Sequence, residues 1–471
     1  MCGITGIYFS QSKLDEQART AMGMKVRAMT STLSLRGPDS SGIFVSNEVA
    51  LGHTRLSILD TSDAGAQPMT LPDTGLTLVY NGECYNFQAL RQELESLGSN
   101  FLSGSDTEVV LHAYGKWGLQ GLKKLEGIFA LALWDNTRKR LVLMRDRFGV
   151  KPLYYGDSTF GLAFGSEIKA VLAAGGVNLT MDEQALSEYL WFGNTHQERS
   201  FYSGVRQLEP GQWMIIDEGC DVLVESWWRV EEWLNNDISG LDNRTTTLEV
   251  TKKLDIAVGR QLISDVPVGL FLSGGIDSSA IAASVGQNYG IELNSFAAEF
   301  DFSGSKSELK KAALVAKSFN LRHSEIKISG NDLSSTILEM SKAHDEPFAD
   351  AANLALYSMC KQLPNNIKVV LQGDGGDELF GGYRRYAMLR NSKLWRAFPH
   401  FLARGIHSLG SKGKRFSRMV DTLGNEDPAL VMAFLLTMET NRLPPERFFT
   451  KEKSDYLRNN TDPFIAYRHA N

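Results

Sequence analysis

The chain has 471 residues, 43% of them hydrophobic and 22% charged, a length that calls for two large domains rather than one core. A formal net charge of -6 gives no general attraction to nucleic acid or an anionic bilayer, and no apolar run reaches the roughly 18–20 residues of a membrane-spanning helix. Four scattered cysteines, Cys2, Cys84, Cys220 and Cys360, form no CxxC pair and exclude a zinc ribbon or disulfide framework; with no basic leader after Met1, a reducing cytoplasm is the expected compartment.

From Met1 to about Phe164 the apolar runs are short and end in Gly, Asn or Asp, as at residues 4–9, 76–80, 128–134 and 141–144. The last two flank a polar stretch over 135–140 and predict a hairpin. Helices are predicted over 88–97 and 107–117, so the first half reads as a strand-rich α+β domain. Residues 201–230, punctuated by Gly and Pro and ending near Trp227 and Trp228, read as the finish of that domain. Beyond Leu248 strands and helices alternate: a buried strand at 266–272, a helix from Ser278, a strand at 295–300, a helix from Ser307 and a strand at 367–371. That rhythm predicts a doubly wound parallel sheet with ligands at the carboxyl ends of its strands. The expected division is a first domain over 2–210, a connection over 211–247 and a second domain over 248–471.

Cys2 directly follows the initiator methionine. Removal of Met1, which a small second residue permits, leaves Cys2 with both a thiol and a free α-amine. Such an amine ordinarily titrates at about 7.7–8 and can serve as general base for its own thiol. Four segments follow in order: Arg36-Gly37-Pro38-Asp39, His53 to Asp60, Tyr80-Asn81-Gly82-Glu83 and Ser105-Asp106-Thr107-Glu108. Taken singly each has a bland reading, since Asn-Gly is a common turn pair and Asp–Arg pairs occur in many scaffolds.

Together with Cys2 they make residues 1 to about 200 resemble the class II glutamine amidotransferases, whose fold is the N-terminal-nucleophile αββα sandwich. The resemblance implies that Arg55 holds the glutamine α-carboxylate as a guanidinium does, and that Asp106 faces the ammonium with Glu83 and Gly82 beside it. It makes Cys2 the nucleophile, with the Asn81 amide and Gly82 N–H as donors to the oxyanion. Cys84 and His53 are read as structural, and the segment from Arg145 to Tyr154 as a turn whose charges pair with one another.

In the second half, Ser273-Gly274-Gly275-Ile276-Asp277-Ser278-Ser279 follows the buried strand and opens a helix, a suitable context for an anion. It is not a Walker A loop. It resembles the SGGxDS loop of the ATP pyrophosphatases, and the segment from Gln372 through Gly373, Asp374 and Asp377 to Tyr383 resembles the second signature of the asparagine synthetases. By that resemblance Asp277 and Asp377 share Mg2+ with the triphosphate of the substrate ATP, and Asp374 serves acyl-adenylate formation. Leu270, Phe271, Leu272 and the strand end near Ala298 contact adenine, while Ser273, Gly274, Gly275, Ser278, Ser279, Gln372 and Gly373 line the nucleotide. Gln372 stands where the family usually has Ser or Thr, and the segment from Asp345 to Asp350 is expected on the acceptor side.

The implied chemistry is ammonia release from glutamine at Cys2 and amidation of an adenylated carboxylate. Aspartate is the expected acceptor and a sugar acid the alternative; a homodimer is the expected assembly. Synthetases of this kind continue past the second signature to an EVRxPFLD-like segment and a lysine acting on the adenylate. Residues 384–471 match neither, so a C-terminally incomplete form is expected, able to hydrolyse glutamine but weak in amide synthesis. Residues 379–420 hold ten Lys/Arg and no Asp or Glu, read as a helical surface that pairs with acidic residues rather than with nucleic acid.

Overall fold

Strands whose side chains alternate between two apolar environments need cover on both faces, and the first half meets that need by stacking two sheets. The computed structural model describes residues 1–9, 16–72, 74–218, 221–234, 242–301, 308–330, 333–390, 420, 422–423, 426–437 and 448–468. Cys220, Ser307 and most of the basic run over 379–420 therefore lie outside the described residues.

The N-terminal strands are β1 (Gly3–Phe9), β2 (Ser40–Val45), β3 (Val49–Arg55), β4 (Met69–Leu71), β5 (Leu76–Cys84), β6 (Gly127–Asp135) and β7 (Arg140–Arg145). They are followed by β8 (Tyr154–Ser158), β9 (Gly161–Gly165), β10 (Arg206–Gln207), β11 (Gln212–Ile216) and β12 (Val222–Ser226). One sheet runs β10-β8-β9-β1-β3-β2 and the other β12-β11-β7-β6-β5-β4. Their pairings are antiparallel throughout, including the expected β6–β7 hairpin.

Alternation sorts the core into layers. Ile4, Leu51, Val79, Ala132, Trp134 and Leu143 fill the space between the sheets. Ile7 and Phe9 turn the other way, onto Met22, Val26 and Met29 of the helix Glu16–Ser31. Leu78, Tyr80 and Leu133 meet Leu90 and Leu94 of the helix Phe87–Ser96 and Val110 of the helix Asp106–Trp117. Helix, sheet, sheet and helix thus follow one another, as the resemblance implied. The structure differs at the end of this layer, because β11 and β12 fall within 211–247, the stretch read from sequence as a connection.

The second sheet system is parallel: β13 (Val268–Phe271), β14 (Asn294–Asp301), β15 (Arg322–Ser329) and β16 (Val369–Leu371), in the order β15-β14-β13-β16. Leu270 and Ala297 face helices carrying Val258, Ala282 and Ala312, whereas Phe296 and Ile326 face the side of Met359 and Leu363. Cover on both faces makes the sheet doubly wound, and its strand order reverses between β13 and β16, the place where such sheets bind ligands. Ala298 lies within β14 rather than at its end, so its expected adenine contact does not coincide with a strand terminus.

By internal contacts the chain divides into two units. One comprises Met1–Thr180, Tyr202–Asn331 and Ser358–Leu371, and the other Met181–Phe201, Asp332–Tyr357 and Gln372–Asn471. In the second, Leu186 and Leu190 of the helix Glu183–Phe192 pack with Leu457 of the helix Lys451–Asn460. Gln184 and Asp462 exchange hydrogen bonds at 2.7 and 3.0 Å. No helix among the described residues is long and apolar enough to cross a membrane.

Candidate active site

Cys2 stands at the entrance to β1, held by its register with β3. Gly3 pairs with Thr54, and a Cβ at Gly3 would come within 2.6 Å of the Thr54 hydroxyl, so only glycine lets the chain enter here. Cys2 Sγ accepts from the Leu56 N–H at 3.5 Å and lies 3.7 Å from the Leu56 carbonyl oxygen. Arg36 donates from Nε to the Cys2 carbonyl oxygen at 2.9 Å and pairs with Glu167 at 2.9 Å. Burial pushes the Cys2 thiol above its ordinary value, so a thiolate there needs a base close by. His53 is not that base: fully buried, it bonds the Tyr80 carbonyl oxygen at 3.2 Å, and burial takes its pKa down to about 3. Cys84 is buried too, its thiol donating to Asn86 at 3.2 Å.

One small cavity is lined by Cys2, Arg55, Gly82, Glu83 and Asp106, with Gln67, Tyr80 and Thr107 completing the wall. Asp106 is the first residue of its helix, and Ser105 caps that helix by accepting from the Thr107 N–H. Its carboxylate accepts from the Cys84 N–H at 2.8 Å, yet burial takes its pKa up to about 6. Burial and the nearby Asp106 also push Glu83 well above the usual carboxylate range. Two carboxyls crowded in this way are stabilised by an arriving cation, such as the ammonium of an amino acid.

The alternation that turns Ile4 and Val79 to the space between the sheets turns Asn81 and Glu83 the same way. Asn81 is 1% exposed, and neither end of its amide has a hydrogen-bond partner among the described residues. A buried amide left open is costly and calls for a reason. At Gly82 a Cβ would lie 2.2 Å from the Ile128 carbonyl oxygen across the β5–β6 pairing.

Arg55 is buried and already engaged. It donates to the carbonyl oxygens of Ser62 at 2.8 Å, Leu59 at 3.4 Å and Asp60. Asp60 organises that loop, accepting from the Gly104 N–H at 2.7 Å and the Ser62 N–H at 3.2 Å. Sequence reasoning gave Asp60 no role, although an Asp two residues before a Ser is a turn signal it could have used. The segment after β7 also departs from expectation. Arg145 grips the carbonyl oxygens of Lys151, Leu208 and Gly149, and Asp146 accepts from the N–H groups of Phe148, Val150 and Lys151. These charges hold backbone rather than one another.

At the end of β13 the chain turns through Ser273 and Gly274 into the helix Ile276–Ser284. Gly274 has φ +74°, and a Cβ there would meet Lys311 Cβ at 2.7 Å and the Ala312 nitrogen at 2.8 Å. Ser273 Oγ accepts from the Gly275 N–H at 3.2 Å and lies 3.1 Å from Ser278 Oγ, which fixes the loop. Asp277 sits in the first turn of that helix, which Ser279 continues. Leu270 and Phe271 close β13, and the Leu272 N–H donates to Phe296 at 2.8 Å.

In the other unit Gln372 donates to the Asp374 carboxylate at 2.6 Å, so its side chain is occupied by Asp374. Burial, with Glu378 adding to it, pushes Asp374 up. Gly373 accepts from the Gly376 N–H, and Gly375 takes φ +90° to open the helix Gly376–Phe380. Asp377 fills the space beside Gly382, where a Cβ would come within 1.8 Å of its carboxylate. The expected acceptor segment borders a cavity of about 340 Å³ lined by Tyr189, Met340, His344, Glu346, Phe348 and Asp350.

Comparison with known proteins sets this geometry in a family. Residues 1–228 match a glutamine amidotransferase domain and residues 249–459 match asparagine synthase. A putative glutamine-hydrolysing asparagine synthetase 2 of Methanocaldococcus jannaschii is 32% identical over 426 residues, covering 85% of this chain and 79% of its own. The chain belongs to the glutamine-hydrolysing asparagine synthetase family. The family's asparagine synthetase 3 of Bacillus subtilis is 34% identical over 402 residues, 81% of this chain and 63% of its own. A protein called amidase chyE, from Penicillium rubens, is 32% identical over 404 residues, 81% of this chain and 59% of its own. The chain spans about three fifths of the length of its Bacillus subtilis relatives, 63% and 61% of two of them.

Proposed function

We propose that this protein hydrolyses glutamine at Cys2 and passes the ammonia to a carboxylate activated by ATP, aspartate being the acceptor its relatives' names suggest. The observation that carries the first half is the cavity shared by Cys2, Arg55, Gly82, Glu83 and Asp106. Asn81 does not line it, but lies on the strand that supplies Gly82 and Glu83, its buried amide without a partner among the described residues. With Met1 removed, the Cys2 amine takes the thiol proton, and the thiolate attacks the amide carbon of glutamine. The resulting oxyanion is held by the Asn81 amide and the Gly82 N–H, a service that costs no reorganisation if the donor is already free. Collapse expels ammonia as the amine returns a proton to the leaving nitrogen, and water then cleaves the thioester to glutamate. Asp106 and Glu83 receive the substrate ammonium. Arg55 receives the carboxylate, sharing its fork with the 59–62 loop that already occupies part of it.

In the second half, an oxygen of the acceptor carboxylate attacks the α-phosphorus of ATP and pyrophosphate leaves; ammonia then attacks the acyl carbon and AMP leaves. The Ser273–Gly275 turn and the amides opening its helix suit phosphate oxygens. By the family resemblance Asp277 and Asp377 are each a carboxylate that would serve magnesium, a hard cation that prefers carboxylate and phosphate oxygens, and Gly382 leaves Asp377 the space for its side chain. Magnesium, when bound, offsets charge on the departing pyrophosphate. The role we propose for Asp374, on the family resemblance, is in adenylate formation. The domain limits we propose follow the two family matches, and the soluble cytoplasm and a homodimer remain the compartment and assembly proposed.

The test is glutamine-dependent pyrophosphate release with a panel of carboxylic acids including aspartate, beside Cys2→Ala. Ammonia release is expected to vanish in Cys2→Ala, while pyrophosphate release supported by added ammonium persists. Ammonia release that survives Cys2→Ala would overturn the glutaminase assignment; pyrophosphate with no acid of the panel would overturn the ligase.

A further inference from the structure

Lys151 is a half-buried cation for which the chemistry above has no use. It lies in the turn after β7, where Asp146 accepts from its backbone N–H at 3.0 Å and Arg145 donates to its carbonyl oxygen at 2.8 Å. Those two bonds fix its backbone and leave the side chain to be explained. Its ammonium reaches the N-terminus, 3.2 Å from Met1 Sδ, and a second cation, Arg36, lies 3.9 Å from the same sulfur. Arg36 is also bonded to the Cys2 carbonyl oxygen, so one positive charge rests on Cys2 itself and the other, Lys151, on the side chain of the residue just before it, whose removal makes Cys2 the N-terminus.

We propose that Lys151 is a positioning residue for the glutaminase reaction, its ammonium keeping the neighbouring Cys2 α-amine in the neutral form that can take the thiol proton. The proposal rests on the reading of Cys2 as an N-terminal nucleophile.

Electrostatics supports the geometry. A positive charge beside an amine disfavours its protonated form. In the chain with Met1 in place, the terminal amine is brought down to about 6, by burial first and by Arg36 and Lys151 in addition, against the opposing pull of Cys2 and Asp39. Lys151 is itself lowered, by burial and then by Arg36, with Glu83, Asp146 and Cys2 pulling the other way. These are the charged groups that face the pair: Arg36, Asp39, Glu83, Asp146 and the Cys2 thiol, with Glu167 neutralising part of Arg36. Arg36 is shared between a carbonyl oxygen and Glu167, which leaves Lys151 the less compensated of the two cations.

The sign follows. With Lys151 charged, the Cys2 amine loses its proton at lower pH, so the acidic limb of kcat/KM for glutamine hydrolysis lies lower. In Lys151→Met that limb is expected to move up by about one pH unit, a loss of about tenfold below the midpoint that closes toward pH 9. Lys151→Arg is expected to keep the wild-type limb. A uniform loss at every pH in Lys151→Met would reveal a merely structural role and overturn the proposal, as would an unmoved profile.

A second measurement needs neither variant nor turnover. The pH dependence of selective α-amine labelling at Cys2, read by mass spectrometry on the processed wild-type chain, is expected to give a midpoint below the ordinary α-amine range of about 7.7–8. A midpoint at or above that range overturns the proposal even if Lys151→Met does not fold. Failure of the glutaminase reading shows instead as ammonia release that persists in Cys2→Ala.

Discussion

Asn81 carries an unusual load for a single side chain. Among the described residues both ends of its buried amide lack a partner, so it costs stability in the resting protein. Asn81→Leu, close in volume, is therefore expected to leave the melting temperature unchanged or raised while kcat for glutamine hydrolysis falls by about 10²–10³-fold. Thermal denaturation beside steady-state kinetics reads both, and a fall in stability with kcat intact would refute the assignment. At this scale the sequence was informative where motifs were ordered: Cys2, Arg55, Gly82, Glu83 and Asp106 do line one cavity. It placed Lys151 only within the turn from Arg145 to Tyr154, because a half-buried ammonium has no local signature of its own, and it passed over the turn signal at Asp60. It also assigned Arg55 wholly to substrate, missing the three carbonyl oxygens that the folded loop brings to it.

Among the elements, the strand–turn–helix at β13 shows how backbone geometry decides residue type. Gly274 needs both a positive φ and the absence of a Cβ against Lys311 and Ala312. Gly274→Ala is expected to cost about 1–3 kcal/mol. ATP-dependent pyrophosphate release should fall sharply while ammonia release at Cys2 is retained, since the two loops belong to different sheets. Equal loss of both activities would count against that separation. β13, β14 and β16 were legible because burial on both faces gives apolar runs, whereas β15, with Arg322, His323, Glu325 and Lys327 along it, was not. β12 was not, since Val222, Leu223 and Val224 are all exposed and show no alternation. The grouping of Met181–Phe201 with late residues was equally hidden, because Leu186 and Leu457 are joined only by folding.

Over the larger unit, polar links tie the amidotransferase sandwich to the front of the parallel sheet. Lys368, just before β16, pairs with Asp39 at 2.6 Å, and Arg260 pairs with Glu126. Asp39 also accepts from the Ser57 N–H at 2.8 Å; partial burial works against its charge, but these donors bring it below the usual range. A group lowered in this way adds stability that is present above about pH 4 and lost as the pH falls below it. Both partners of the Lys368–Asp39 pair are over a quarter exposed, at 27% and 29%, so a double-mutant cycle with Lys368→Met and Asp39→Asn is expected to give a coupling below about 1 kcal/mol at pH 7. Asp39→Asn should destabilise more than Lys368→Met, having also weakened the acceptor for Ser57; the reverse order in urea denaturation would contradict this.

The Asp60 N–H donates to Asp265 at 2.7 Å, and Asp265 lies three residues before β13. The loop that clasps Arg55 is thus fastened to the strand that leads into the phosphate turn. Across such a fastening, communication obeys thermodynamic reciprocity: whatever factor nucleotide changes the affinity for glutamine by, glutamine must change the affinity for nucleotide by the same factor.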